Sequence, residues 1–279
     1  MDSQVVARVK RALIRPASLV SLLFLLTVVS VSIFAPAIAP YDPIRIDLLS
    51  AEQPPSLQHL FGTDDVGRDV FSRVVWGGRI SLTMGLVAAG IATVLGLVLG
   101  TVSGYYEGST GYLILRAMDF LLAFPGILLA LAIVAILGAS LANVMIAIGI
   151  GATPAFVRLV HGVVLSIKQN DYIEAAKAFG ASDTHIFLKY ILPNILPFVI
   201  VIFTIQVASA IFYGSSLSFI GLGAQPPSPE WGAMVSRGRY SLRNALWMSA
   251  FPGATIALVC IAINLLGDAL RDALDPRSS

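Results

Sequence analysis

The chain has 279 residues, 57% of them hydrophobic and only 12% charged, about half the charged share of a soluble domain. A mean hydropathy of +0.84 held over that length excludes a single water-soluble globule, whose surface must still be covered by polar groups, and points to a polytopic membrane protein. The 18 Lys+Arg set against 16 Asp+Glu leave a net charge of +2, too balanced for a nucleic-acid binder, and the lone Cys260 excludes an internal disulfide or a cysteine metal cluster.

Charges punctuate the sequence, and the uncharged runs between them can be compared with the roughly 20 residues a helix needs to cross hydrocarbon. Pro16 to Tyr41 is a run of 26 and gives one crossing. The basic residues before it and Ala37-Ile38-Ala39 at its end imitate a secretory signal, but the apolar stretch from Ser18 to Ala39 exceeds a signal's h-region of about 7–15 residues. Val66, Val70, Phe71 and Val74 then give Asp65–Trp76 an apolar stripe at helical spacing, predicting an amphipathic helix on the outer face. The second crossing starts at Ile80 and has 27 uncharged residues before Glu107. Small residues recur along it at every fourth position, at Ala88, Ala92, Gly96, Gly100 and Gly104, a stripe against which another helix of the same subunit can pack closely.

Arg116 and Asp119 sit three apart near the inner end of the third crossing, where one helix face lets them pair. Phe120 to Val157 is a run of 38 residues, too long for one helix and right for two, with a turn at Gly138-Ala139-Ser140. Tyr190 to Pro229 has 40, but Pro193, Pro197, Pro226, Pro227 and Pro229 crowd its ends and predict a single helix from about Ile195 to Leu222. Asn244 to Gly267, with 24, is the sixth crossing. Six crossings put both termini on one side. Arg8, Lys10, Arg11 and Arg15 precede the first, so that side is cytoplasmic by the positive-inside rule, and eleven of the 18 Lys+Arg then fall inside. The expected organisation is a cytoplasmic segment 1–17, a first span 18–40, a periplasmic segment 41–78 with its amphipathic helix, a core 79–270 carrying five spans and a cytoplasmic loop 166–194, and a cytoplasmic tail 271–279.

None of the uncharged runs holds the midplane carboxylate that an ion-coupled transporter uses, and no G-x-x-x-x-G-K-[ST] occurs, so the chain lacks a P-loop of its own. His59, His161 and His185 fall in different compartments and imply no metal site. No acid, base and nucleophile converge by spacing, which argues against a membrane-embedded enzyme. The loop 166–194 is the most informative segment. Asp171 with Glu174 reads as a D-x-x-E capping box. Ala175, Ala176 and Ala178 make a slim helix, Gly180 supplies a left-handed stop, and Ser182 caps a second helix that Pro193 closes. Two short helices tied to two membrane helices suit a lever better than a catalytic site.

The same segment matches the EAA motif of ABC importer permeases, E-A-A-x3-G-x9-I-x-L-P, at Glu174, Ala175, Ala176, Gly180, Leu192 and Pro193, with Tyr190 where the motif has Ile. Three further blocks, Phe61–Leu82, Leu217–Arg239 and Asn264–Pro276, are similar to the C-type permease of dipeptide, oligopeptide and nickel importers, and the resemblance covers about Tyr41 to Pro276. It implies an all-α, six-span permease of the type I importer fold in a bacterial inner membrane. Further implied are a B-type permease to complete the pathway, two ATP-binding subunits that hold ATP and Mg, and a periplasmic or lipid-anchored peptide-binding protein. This chain would then carry no cofactor and contact membrane lipids but no nucleic acid. In that family the loop docks on the ATPase, which assigns coupling to Glu174, Ala175, Ala176, Lys177, Phe179 and Gly180. Trp231, Arg237 and Arg239, in a proline-stiffened outer loop, become the expected docking residues for the binding protein, with Trp231 displayed at the membrane interface. The residues that line the pathway are not marked by any motif. Di- or oligopeptides are the expected cargo, with nickel or a metal chelate as the alternative within the family and an ion-coupled secondary transporter as the alternative outside it.

Overall fold

The computed structural model describes residues 12–106 and 108–274. Arg8, Lys10, Arg11, Glu107, Pro276 and Arg277, which entered the charge and block readings, lie outside the described residues. Among the described residues every regular element is helical, apart from one isolated bridge between Thr63 and Asp69. In chain order the helices are α1 (Pro16–Ile33), α2 (Ala35–Ile38), α3 (Val70–Tyr105), α4 (Ser109–Leu122), α5 (Gly126–Leu137), α6 (Leu141–Lys168), α7 (Asp171–Ala178), α8 (Asp183–Ile186), α9 (Leu192–Phe219), α10 (Trp231–Gly238) and α11 (Trp247–Leu274). Five helices are long and apolar enough to cross a membrane, and the bent pair α4–α5 supplies a sixth when counted as one span.

The longest element, α3, joins two features that the sequence separates. The amphipathic stripe is no independent outer helix: residues 65–69 form a turn, Asp69 accepts the Ser72 N–H at 2.7 Å as N-cap, and the helix runs unbroken through the second crossing to Tyr105. Its small-residue stripe packs within the subunit, along α6. A Cβ on Gly96 would lie 2.3 Å from the Phe156 side chain, one on Gly100 2.6 Å from Val160 and one on Gly104 2.9 Å from Val164. The three contacts step by four residues on both helices, so α3 and α6 run parallel at close backbone approach, as small residues allow between helices in lipid.

The third crossing is broken rather than straight. Pro125 disfavours helix at the residue before it, α4 stops at Leu122, and α5 leaves at 92° to it. Phe120 therefore belongs to α4, and α5 with its 12 residues, about 18 Å of helix, is shorter than a crossing, so the sixth span stands only when the bent pair is counted together. The expected turn at Gly138–Ser140 is present, with Gly138 at φ 93° and the Ser140 hydroxyl accepting the Asn143 N–H at 3.1 Å. Asp119 lies 3.9 Å from Arg116, but its closer partner is Arg158 at 2.6 Å, because α6 continues past the uncharged run to Lys168.

Pro193 does not close a helix. From Asp183 the chain is helical without interruption to Phe219, α8 passing into α9 through a π turn at Phe187–Ile191. A proline ring collides with the carbonyl four residues back, here Lys189, and the wider π turn around that carbonyl accommodates it. The fifth crossing thus ends at Phe219 rather than Leu222.

α1 packs on α3 and α11. Its outer end is capped by Arg79, which donates to the carbonyls of Ser32 (2.7 Å) and Ile33 (2.6 Å), and at its inner end Arg15 meets Asp272 of α11 at 2.9 Å. The start of the first crossing and the end of the last therefore share one face. Several hydroxyls inside the spans satisfy themselves: those of Ser21, Thr27, Thr204 and Thr255 each donate to the carbonyl four residues back, which removes an unpaired group from the hydrocarbon.

Gly100→Val should force α3 and α6 apart and cost about 1–3 kcal/mol, the usual range for overpacking. Thermal unfolding of the purified subunit in detergent should show a lower midpoint for this variant. Gly90→Ala, whose new Cβ meets nothing within 4 Å, should leave the midpoint unchanged or raise it.

Candidate functional site

At the inner end of the bundle, α6 stops at Lys168, and Asn170 turns its amide back onto the carbonyls of Ser166 (3.1 Å) and Ile167 (2.9 Å). Asn170 thereby takes the N-cap position of α7 without capping it. Asp171 is the first helical residue, not the cap, and no side chain closes the expected box. The charges of Asp171 and Glu174 still lie in the first turn, where the helix N-terminus favours anions. α7 ends in a Schellman motif, with Gly180 N–H donating to Lys177 O (2.9 Å) and Ala181 N–H to Ala176 O (3.0 Å). Gly180 has φ +79°, and a Cβ there would meet no atom within 4 Å, so the glycine answers to backbone conformation and not to crowding. Ser182 caps α8 by accepting the His185 N–H at 3.3 Å.

Three isoleucines fasten this loop. Ile173, Ile186 and Ile191 are completely buried, packed with Val160, Val164 and Ile195, and each contributes roughly 1.5–3 kcal/mol by leaving water. The face turned away from them carries the residues assigned by resemblance: Glu174, Ala175, Lys177 and Gly180 are exposed, Phe179 is 92% exposed, and Ala176 alone is half-buried against the core. An aromatic ring so exposed at the end of a helix that is otherwise anchored makes this a projecting surface.

One contact to this loop escapes any reading of spacing. Tyr105, in the last turn of α3, donates its hydroxyl to Asp183 Oδ1 at 2.6 Å, and Tyr106 donates to Asp183 Oδ2 at 3.3 Å. Lys168 Nζ donates to the Tyr105 carbonyl at 2.8 Å, and Lys177 Nζ lies 5.3 Å from the Tyr105 ring centroid. Tyr105 and Asp183 are 78 residues apart, and only tertiary packing brings them together.

The outer end is stitched by buried polar groups. The turn before α3 is built on Asp64, which accepts the Arg68 Nε at 2.7 Å and the N–H groups of Val66 (3.0 Å) and Arg68 (2.9 Å). A Cβ on Gly67 would lie 1.7 Å from the Asp47 carbonyl, at φ +78°, so only glycine fits. His59 pairs with Asp69 at 2.9 Å, and Trp247 Nε1 donates to Thr63 O at 3.0 Å, joining this segment to α11. Arg73 reaches the carbonyls of Pro43 (2.6 Å) and Pro227 (3.4 Å).

Trp231 is not displayed at the membrane interface. It is 1% exposed, its Nε1 donates to Val74 O at 2.9 Å, and it lies over Gly77 and Gly78, whose missing side chains make its bed. The indole has a buried donor partner and an apolar slot, a better environment than a wet interface, so it is withdrawn from any partner's reach. Arg237 is paired with Asp65 at 2.6 Å, and that carboxylate holds its guanidinium more firmly protonated. Arg239 is exposed and stacks over Phe219 and Tyr240. Beside Trp231, Glu230 is completely buried. It caps α10 by accepting from Gly232 N (2.9 Å) and Ala233 N (2.8 Å), and it receives the Ser81 hydroxyl of α3 at 3.2 Å. Burial pushes its carboxyl above the ordinary 4.5, while these hydrogen bonds pull it down.

A helical bundle with the start of its first span and the end of its last on one face, and an exposed two-helix loop on that same face, is the build of a membrane-spanning transporter subunit. The family described as "Binding-protein-dependent transport system inner membrane component" matches residues 92–279, and "N-terminal TM domain of oligopeptide transport permease C" matches residues 9–55. Proteins named "Glutathione transport system permease protein GsiD" from Escherichia coli O6:K15:H31 (strain 536 / UPEC) and Shigella boydii serotype 4 (strain Sb227) are each 49% identical over 256 residues, which is 91% of this chain and 84% of theirs. Two solved structures titled as inward-facing conformations of the MetNI methionine ABC transporter share the fold. Their TM-scores are 0.59 and 0.60 at 20% and 22% identity, over 72% and 73% of this chain and 96% of each of theirs. The chain belongs to the inner-membrane components of binding-protein-dependent transport systems and is of the oligopeptide-permease C type. It is the multi-pass permease subunit of a bacterial ABC importer in the oligopeptide family, and it works with ATPase and binding-protein partners that carry out the hydrolysis and the capture.

Glu230→Ala removes a cap and strands the Ser81 hydroxyl, and should lower the unfolding midpoint by the equivalent of about 0.5–2 kcal/mol. Glu230→Gln isolates the charge. Because the raised value means that the folded state keeps a proton the unfolded chain releases, this group withdraws stability as pH rises from 4.5 through its folded value. Measured by thermal unfolding in detergent across that window, the Gln variant should gain on the parent as pH increases. A difference independent of pH would show that the carboxyl does not titrate in place.

Proposed function

We propose that this subunit forms half of the translocation pathway for short peptides of about the size of glutathione. A homologous B-type permease supplies the other half, two ATP-binding subunits dock on the inner loop, and a periplasmic or lipid-anchored peptide-binding protein docks on the outer cap. The observation that carries the coupling role is the α7 surface: Glu174, Ala175, Lys177 and Phe179 face solvent on a helix whose Ile173 is completely buried. Such a helix can be pushed without being peeled off. The peptide cargo is supported by relatives named for glutathione transport at 49% identity over 91% of the chain.

In this scheme nucleotide supplies the difference in affinity between two states of the ATPase pair. The exposed face of α7 receives the resulting movement and hands it to α6 and α9, to which the loop is covalently joined. Both termini lie in the cytoplasm, on the side of the loop. On the outer face, the exposed Arg239 and Tyr240 remain as docking residues, with Arg237 already engaged by Asp65 and Trp231 buried.

Two measurements test the scheme. With Cys260 replaced, a cysteine substituted for Leu57, which is 98% exposed, should label with an impermeant thiol reagent from outside intact cells, and Ser182→Cys should not. Equal labelling would overturn the orientation. In proteoliposomes holding the complete transporter, uptake of labelled glutathione should need ATP and the binding protein, and Glu174→Lys should abolish it by reversing charge at the docking face. Uptake by this subunit alone under an ion gradient would instead establish a secondary transporter.

A further inference from the structure

We propose that Tyr105 and Asp183 are positioning residues for energy coupling: their hydrogen bond clamps the inner loop to the end of α3 and sets the angle between the loop's two helices. The proposal rests on the coupling role given above to α7.

The chain attaches the loop to α6 through Gln169 and Asn170 and to α9 through the π turn at Phe187–Ile191. Nothing covalent attaches it to α3. Within the loop, α7 and α8 meet at Gly180, at φ +79° with no neighbour within 4 Å of a Cβ, and at Ala181, which packs on the core. Ile173 and Ile186 anchor the two helices separately in the apolar core, but apolar contact is non-directional and fixes an angle less firmly than a hydrogen bond. Tyr105 adds a polar tie to both sides of the joint. Its hydroxyl is bound by Asp183, the first residue of α8, at 2.6 Å, and its ring lies under Lys177 of α7, 5.3 Å from the ammonium. From the end of α6, Lys168 Nζ holds the Tyr105 carbonyl at 2.8 Å. Three separate elements thus converge on one residue of a fourth.

The chemistry favours a stiff joint. An O–H donor to a carboxylate at 2.6 Å lies in the range of charge-assisted hydrogen bonds, about twice as strong as neutral ones. Tyr106 occupies the second carboxylate oxygen at 3.3 Å, and its ring meets that of Tyr105 edge-on, with centroids 5.1 Å apart. With both oxygens engaged, Asp183 is restrained in rotation as well as in place. Tyr105 is only 9% exposed, so its side chain has little freedom to follow a drifting partner. Movement of α7 is therefore transmitted to α3 as well as to α6 and α9. Since α3 and α6 are already locked side by side at Gly96, Gly100 and Gly104, loop and helix pair shift as one body.

The test uses the complete transporter in proteoliposomes, with uptake and ATP hydrolysis measured in the same vesicles. Tyr105→Phe removes only the hydroxyl and keeps the ring beneath Lys177, and Asp183→Asn keeps the shape and removes the charge. Both variants should assemble with normal amounts of ATPase subunit and keep hydrolysing ATP, but substrate moved per ATP hydrolysed should fall, with Asp183→Glu restoring part of it. The double variant should lose no more than the worse single one, because the two residues act through one bond. A merely structural role would lower uptake and hydrolysis in proportion to the amount of assembled complex, and that result, or an unchanged ratio, would overturn the clamp. Glu174→Lys in parallel separates the two levels: if it impairs coupling and Tyr105→Phe does not, the clamp alone fails; if Glu174→Lys changes neither association nor coupling, the docking role fails and the clamp with it.

Discussion

Lipid offers a membrane helix as much apolar contact as a neighbouring helix does, so burial alone cannot hold a bundle together. What holds this one is the seam between α3 and α6, where Gly96, Gly100 and Gly104 bring the backbone of one helix against Phe156, Val160 and Val164 of the other. Close approach multiplies dispersion contacts that a larger residue would forfeit. The seam also sets the geometry of both ends. It brings Tyr105 beside Lys168 at the inner end. At the outer end it continues into the first turns of α3, where Gly77 and Gly78 receive Trp231.

The two ends solve opposite problems. The inner loop, on the function proposed for it, must stay folded while presenting a face to another protein. It does so by spending three isoleucines inward and leaving Phe179 outward. The outer cap has almost no regular structure between Ala39 and Asp69, and it holds its shape by satisfying buried polar groups. Asp64 with Arg68, Asp69 with His59, and Glu230 with two amides and Ser81 each neutralise or saturate a group that would otherwise be expensive to bury. The cap and the loop are joined by the parallel pair α3 and α6, so both ends of the bundle are fixed to the same two helices.

The helix breaks carry as much meaning as the helices. Pro125 turns the chain by 92° and leaves α4 at the inner end, where Asp119 can reach Arg158. The π turn at Phe187–Ile191 does the reverse, letting the helix pass Pro193 unbroken so that α8 and α9 are mechanically one. Pro125 splits a crossing, whereas Pro193 is absorbed behind a widened turn and Pro154, Pro197 and Pro252 lie inside unbroken helices.

Five long apolar spans, the packing of the glycine stripe within the subunit, the left-handed Gly180 and the Ser182 cap were legible in the sequence. Each is a property of hydrophobic period, charge spacing or the dihedral freedom of one residue, and such properties are local. The fate of Trp231, Glu230, Tyr105 and Asp183 was decided by tertiary structure. Whether an indole faces lipid or fills a slot depends on Gly77 and Gly78, some 150 residues earlier in the chain, and whether an aspartate caps its own helix or grips a tyrosine depends on which helix ends beside it. Pro193 and Asp171 belong to the same class: local preference named a stop and a cap, but the π turn accommodates Pro193, and Asp171 falls inside the first turn of α7 behind Asn170, whose amide is committed to the α6 carbonyls of Ser166 and Ile167. Period and propensity act over a few residues, whereas these outcomes were set by surfaces that exist only after α3, α6 and α9 have packed.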